Sequence, residues 1–217
     1  LYLGGRRIMQ KKYLALFFGM VVLAAAFCVI GLYHLILFLA RRIETEYFYF
    51  GLIALGTGLH QLSMNGIMQH MTTNRPLNQL FTMLVMCVLP ASLVTFATRF
   101  FDLHAPKAEK FFKAASLVMT FILVLQFAVP QLYHIHIEYV LPLTMLLTMT
   151  ALGFFSRLVY RAWRLGRPGA LLIGICFLVY MFTVAHDILA YLTLPVEYRL
   201  ANIGFLFPIA GMAMALA

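Results

Sequence analysis

Seven stretches of this chain are apolar and nearly free of charge: Tyr13 to Ala40, Tyr47 to about Met71, Leu77 to Thr98, Ala114 to about Val129, Tyr139 to Ser156, Gly169 to about Leu192, and Leu200 to Ala217; six contain no Asp, Glu, Lys or Arg, and the sixth contains only Asp187. A helix needs about 20 mostly apolar residues to cross the hydrocarbon core of a bilayer. Six runs meet or approach that length, and the fourth reaches it with its flanks. Lipid offers no partner to a free N–H or C=O, so each run must be helical. With 217 residues, 64% of them hydrophobic and 11% charged, a water-soluble globule is excluded, since soluble domains are about half apolar and a quarter charged. Seven spans and short loops use the whole length. The expected fold is an all-α integral membrane protein, a bundle of seven transmembrane helices without a second folded domain.

Charge placement sets the expected orientation. The net charge is +9 and the sequence pI 9.7, but the basic residues lie in short runs between apolar stretches, so nucleic acid is not an expected partner and the lipid bilayer is. Alternate loops carry Arg41 and Arg42; then Arg99, Lys107, Lys110 and Lys113; then Arg157, Arg161, Arg164 and Arg167. The remaining loops carry only Arg75 and Arg199. Cytoplasmic loops are the ones rich in Lys and Arg, which puts the amino end outside and the carboxyl end in the cytoplasm. Arg6, Arg7, Lys11 and Lys12 oppose that assignment. Long translocated domains cross largely regardless of charge, so residues 1–12 are expected to be the juxtamembrane exit from an external domain, and 13–217 the membrane module. The chain starts at Leu1 and is still apolar at Ala217, as expected of a piece of a longer polypeptide. No signal peptide is visible.

Polar residues within the spans are the candidate functional groups. Asp187 is the one acidic residue well inside a span; a carboxylate at a helix centre costs about 2.5–3.5 kcal/mol on insertion scales, so it should face the bundle or water. Cys176, Tyr180, Thr183, Asp187 and Tyr191 recur at threes and fours, which places them on one helix face, expected to look inward. Asn202, Asn65 and Gln126 fall near the outer ends of their spans, with His60 and His186 at similar or slightly greater depth. They would form an outward-facing polar chamber if they converge. The alternative is a set of separate interhelical hydrogen bonds, each worth about 0.6 kcal/mol. Pro90 and Pro208 remove backbone donors within spans and are expected to kink them. Gly51, Gly58 and Asn65 at sevens, with Ala54, form a small-residue stripe suited to close helix packing and, as a second reading, to a homodimer seam. Cys28, Cys87 and Cys176 stand apart and read as packing residues.

Other chemistries lack their required residues. A retinal Schiff base needs a lysine in the last span, and the final lysine is Lys113. A seven-span metal hydrolase could draw on Ser63, His60, His186 and Asp187, but His186 has no histidine partner four residues away, and neighbours on a helix point about 100° apart. A bis-histidine haem through His60 and His186 would need facing helices. His134 and His136, in the longest connection, are a nonspecific pattern for a metal. No catalytic residue, metal or cofactor is expected.

Gly31-Leu32-Tyr33-His34, then Arg41-Arg42 and Tyr47-Phe48-Tyr49-Phe50-Gly51, resembles the first two spans of the bacterial seven-transmembrane receptors with diverse intracellular signalling modules. Asp187-Ile188-Leu189 and Asn202-Ile203-Gly204-Phe205 are similar to that family's sixth and seventh spans, and Leu1-Tyr2-Leu3-Gly4 to the exit from its external domain. The departure is His186, where the family pattern leads one to expect an amide. The resemblance implies a multi-pass receptor module of the bacterial inner membrane, not an enzyme. An external sensory domain and a cytoplasmic output domain (cyclase, diguanylate cyclase, kinase or phosphatase) would lie in the same polypeptide, and the molecule would be a homodimer. It also implies coupling roles for Asp187 and Asn202, inner-side packing roles for Tyr33 and His34, and a hinge at Pro208. The competing reading is a small-solute transporter or channel, which requires a continuous polar path.

Overall fold

The structure, a computed structural model, describes residues 2–64, 75–129, 139–193 and 200–216, without the side chains of 2–16, 64, 75–79, 81, 188–193, 201 and 202. Asn65, His134, His136 and Arg199, and the side chains of Tyr191 and Asn202, therefore lie outside it. The described residues form helices and no strands: α1 (Tyr2–Ala40), α2 (Thr45–Met64), α3 (Arg75–Phe100), α4 (Pro106–Ala128), α5 (Leu141–Arg164), α6 (Ala170–Thr193), α7 (Leu200–Gly204) and α8 (Leu206–Leu216). Every apolar run is thus helical over its described part. Residues 2–12, expected as a juxtamembrane exit, continue the first span without a break.

Among the described residues, five helical stretches are long and apolar enough to cross a membrane: Phe17–Ala40, Thr82–Phe100, Pro106–Ala128, Leu141–Arg164 and Ala170–Asp187. The two remaining runs fall short for different reasons. α2 is long enough but carries Thr57, His60, Gln61 and Ser63. It is enclosed by protein, with Phe50, Gly51, Ile53, Ala54, Thr57, Gly58, Gln61 and Ser63 buried, so its surface need not match hydrocarbon. The seventh run is divided at Phe205 into α7 and α8. Pro208 explains the division, because it has no N–H to offer the Gly204 carbonyl one turn back and its ring crowds that carbonyl. Pro90 behaves differently: α3 runs through it without interruption.

Two helices are longer than their charge-free runs. α4 begins at Pro106, a favoured first helical residue, and its first two turns hold Lys107, Lys110 and Lys113. α5 continues past Ser156 through Arg157, Arg161 and Arg164. Lys and Arg are good helix formers whose stems lie along apolar surface while their heads reach water, so a charge does not mark a helix end here. The ends are set by backbone geometry. At α3, Asp102 takes a left-handed φ of 50° and the Leu103 N–H donates to the Thr98 carbonyl at 2.9 Å. At α5, Gly166 takes φ of 67° and the Arg167 N–H donates to Ala162 at 2.9 Å. Both close as Schellman-type caps.

α1 packs on α2, α2 on α3, and α3 on both α4 and α5; α5 then packs on α6, and α6 on α7 and α8. Contacts of α8 with α2 and of α7 with α1 close the bundle. The three basic turns and the end of α8 gather at one end. There Arg167 pairs with Asp102 at 3.4 Å, Arg99 and Lys113 share Glu109 at 3.6 and 3.4 Å, and the Tyr47 hydroxyl donates to the Leu216 carbonyl at 3.4 Å. Gly169 lies against Ala215 and Phe100.

Glycine sets the α1–α2 crossing. A β-carbon on Gly31 would stand 2.5 Å from the Leu55 nitrogen, and one on Gly58 would stand 2.6 Å from Cys28 Sγ and 2.8 Å from the Ala24 carbonyl. The Gly51, Ala54 and Gly58 stripe is therefore occupied by α1 within the chain, which removes it as a homodimer seam. Gly31→Leu is expected to destabilise the protein by about 1–3 kcal/mol through overpacking. Gly19→Ala, where an added β-carbon meets nothing within 4 Å, is expected to be neutral or stabilising by up to about 1 kcal/mol. Unfolding midpoints in mixed micelles check the pair; equal midpoints for the two variants contradict the crossing.

Candidate functional site: the α6 seam and the basic end

The face predicted on the sixth span meets the seventh segment residue by residue. Cys176 lies against Gly211, where an added β-carbon would be 2.8 Å from its Sγ. The Tyr180 ring packs on Phe205 with centroids 4.5 Å apart. Thr183 touches Gly204 so closely that no side chain fits there. Asp187 accepts a hydrogen bond from the Leu200 N–H at 2.8 Å. The pairs run antiparallel, and small residues on one helix sit under larger ones on the other, which is how membrane helices approach without a hydrophobic driving force.

Asp187 marks the polar end of this seam. Its carboxylate meets an N–H that has no partner within α7, because the first turn of a helix has orphan donors. Hydrogen bonds to charged groups contribute about 1.5–3 kcal/mol. His186 also turns to it, with Nδ1 at 3.3 Å from the same Oδ1, although adjacent helical positions point about 100° apart. The His186 side chain is 53% exposed and that of Asp187 15%, so the carboxylate is the inward partner. Asn202, the expected partner of Asp187, is two residues beyond Leu200 in α7.

The other predicted polar residues sit on different helices. His60, on α2, bonds the backbone of Thr82 on α3. Its Nδ1 and the Ser63 hydroxyl are buried and have no hydrogen-bond partner among the described residues. Gln126 is buried on α4, whose main neighbour is α3. Asp187 and His186 thus belong to the α6–α7 contact, and His60 to the α2–α3 contact. Many intramembrane hydroxyls bond their own helix instead: Thr57 to Ile53, Thr144 to Val140, Thr148 to Thr144 and Ser156 to Leu152, all at 2.7–2.9 Å. Such back-bonding satisfies a hydroxyl without requiring water or a ligand.

At the basic end, an aromatic ladder joins three helices to the end of α8. His34 is buried, its Nδ1 2.8 Å from the Ile30 carbonyl. Its ring meets Phe50 edge-on at 4.5 Å; Phe50 contacts Phe96 at 6.0 Å, and Phe96 stacks on Phe100 at 5.4 Å. Edge-to-face and offset pairs contribute about 0.5–1.5 kcal/mol each beyond burial. Tyr33, in contrast, is mostly exposed and touches His34 only by its edge. Tyr49 packs on the core, with Lys113 Nζ 5.6 Å from its ring centroid. The link from Tyr47 to Leu216 was not anticipated from the sequence. A tyrosine directly after the charged turn at Glu44 and Glu46 is the usual mark of a membrane interface, and that signal identifies the position but not its partner.

A bundle of apolar helices with an acid tied to its seventh segment defines a polytopic membrane module. The chain belongs to the family described as 7TM diverse intracellular signalling, whose sequence model matches residues 13–217. Comparison with curated proteins and with solved structures gives no match. The contact between Cys176 and Gly211 gives a direct check of the seam: Gly211→Leu is expected to overpack it and lower the unfolding midpoint in mixed micelles, and adding Cys176→Gly is expected to recover part of that loss. Strictly additive effects of the two substitutions would contradict the seam geometry.

Proposed function

We propose that this chain is the transmembrane relay of a bacterial inner-membrane receptor. It receives a ligand-driven change from an external domain and passes it through the seventh segment to a cytoplasmic output domain of the same polypeptide. The observation that carries this reading is the double anchoring of that segment. Asp187 holds its first turn through the Leu200 N–H, Tyr47 holds its last residue, and a break at Phe205 lies between. A segment fixed at both ends and divided between them has discrete ways to repack, which a relay requires.

The orientation in this proposal rests on charge. Ten of the sixteen lysines and arginines sit in the three turns at the basic end, where the end of α8 also lies, and this arrangement supports a cytoplasmic basic end. The ligand must favour one packing over the other, because equal affinity for two states shifts nothing. The aromatic ladder through Phe50, Phe96 and Phe100 fills the basic end with rings, which favours a relay over a channel with a continuous polar path. A homodimer remains part of the proposal through the output domain, with its seam elsewhere than the Gly51 and Gly58 stripe.

Two measurements test the reading. In full-length receptor, Asp187→Asn and Asp187→Ala are expected to shift basal or ligand-stimulated output at normal expression, with Ala the larger effect; unchanged output for both removes Asp187 from the relay. In intact cells, a cysteine at Lys110 is expected to be protected from an impermeant maleimide and one at Glu138 to be labelled. The reverse pattern would overturn the orientation.

A further inference from the structure

α4 and α5 each pack on α3 but scarcely on each other, leaving a groove of about 560 Å³ between them. Its walls are mostly apolar, with Phe111 on α4 and Gly153 and Phe154 on α5. Two cations line it at the basic end, Lys107 in the first turn of α4 and Arg157 near the end of α5. Arg99 and Lys113 share Glu109, and Arg167 pairs with Asp102, whereas neither Lys107 nor Arg157 has an acidic partner among the described residues. Lys110, Arg161 and Arg164 also lack one, but only Lys107 and Arg157 line the groove. Phe111 lies one helical turn from Lys107, and Gly153 one turn from Arg157, so charge sits at the mouth and apolar surface follows it into the bilayer.

We propose that this groove is a binding site for an anionic glycerophospholipid, with the phosphate headgroup between Lys107 and Arg157 and an acyl chain along Phe111, Gly153 and Phe154. Basic pockets between helices on the cytoplasmic side are suited to such headgroups, and each Lys or Arg near the surface adds about fivefold in affinity. Arg157 contributes a planar fork that takes two phosphate oxygens, and Lys107 a point charge. Gly153 leaves room for the chain: an added β-carbon there meets nothing within 4 Å. The chain would extend the contact between α4 and α5, which the protein makes through Phe112 and Phe154 with ring centroids 6.0 Å apart. This site rests on the membrane location and on the proposed cytoplasmic basic end, not on the direction of signalling.

The test is native mass spectrometry of the full-length protein released from nanodiscs of phosphatidylglycerol and phosphatidylethanolamine in equal parts. The parent is expected to retain phosphatidylglycerol in preference. Lys107→Gln with Arg157→Gln should weaken that retention about thirtyfold, while Lys107→Arg with Arg157→Lys should keep it, which separates charge from folding. Gly153→Phe keeps both cations, branches from a β-carbon position with nothing within 4 Å, fills the groove, and is expected to lose the retained lipid. An equal preference for the two lipids in the parent, or undiminished phosphatidylglycerol in either the double glutamine variant or Gly153→Phe, would falsify the site.

Discussion

Leucine gains nothing by leaving lipid for another leucine, so the bundle depends on how closely its backbones can approach. Two contacts show this. Gly31 and Gly58 let α1 and α2 cross at distances that exclude any β-carbon, and Gly204 and Gly211 do the same for the seventh segment against α6. What these glycines provide is dispersion over a long contact, made of small terms that vanish when a gap opens. The first pair fixes the amino-terminal half of the bundle, and the second holds the segment that leads out of it.

These two contacts differ in their polar content. Across α1 and α2 the meeting surfaces are small residues and apolar side chains, with the Cys28 thiol beside Gly58. Along α6 the same small-residue geometry ends in a carboxylate that bonds a backbone amide. The small-residue fit restricts sliding in both contacts, and along α6 the hydrogen bond at Asp187 adds a polar mark of register at one end. At the far end the Tyr47 hydroxyl provides a second polar mark on Leu216.

Much of this was legible in the residues. Runs free of charge locate the helices because lipid permits little else, and the three-and-four recurrence of Cys176, Tyr180, Thr183 and Asp187 identified the α6 face correctly, since a helix turns 100° per residue whatever its neighbours are. The identity of the neighbour was not legible. Periodicity says which side is inward, while the matching of Thr183 with Gly204 or of Tyr180 with Phe205 depends on how two helices are offset along their axes, a tertiary quantity. Helix ends beyond Ser156 and before Ala114 were missed for a related reason, because charge reports the water boundary and not the end of hydrogen bonding. Polar residues at a common depth suggested one chamber, but depth fixes only one coordinate of three. His60 proved to face α3, while Asp187 faces α7.

The interruption at Phe205 leaves α8, from Leu206 to Leu216, as a separate rigid piece. Its close fit at Gly211 against Cys176 is five residues from either tip, about 7.5 Å at the usual helical rise. Any tilt about that point would carry Leu206 and Leu216 by equal amounts in opposite senses, and the Tyr47 bond at Leu216 opposes it at one tip. An unbroken rod from Leu200 would have placed the same point well off centre.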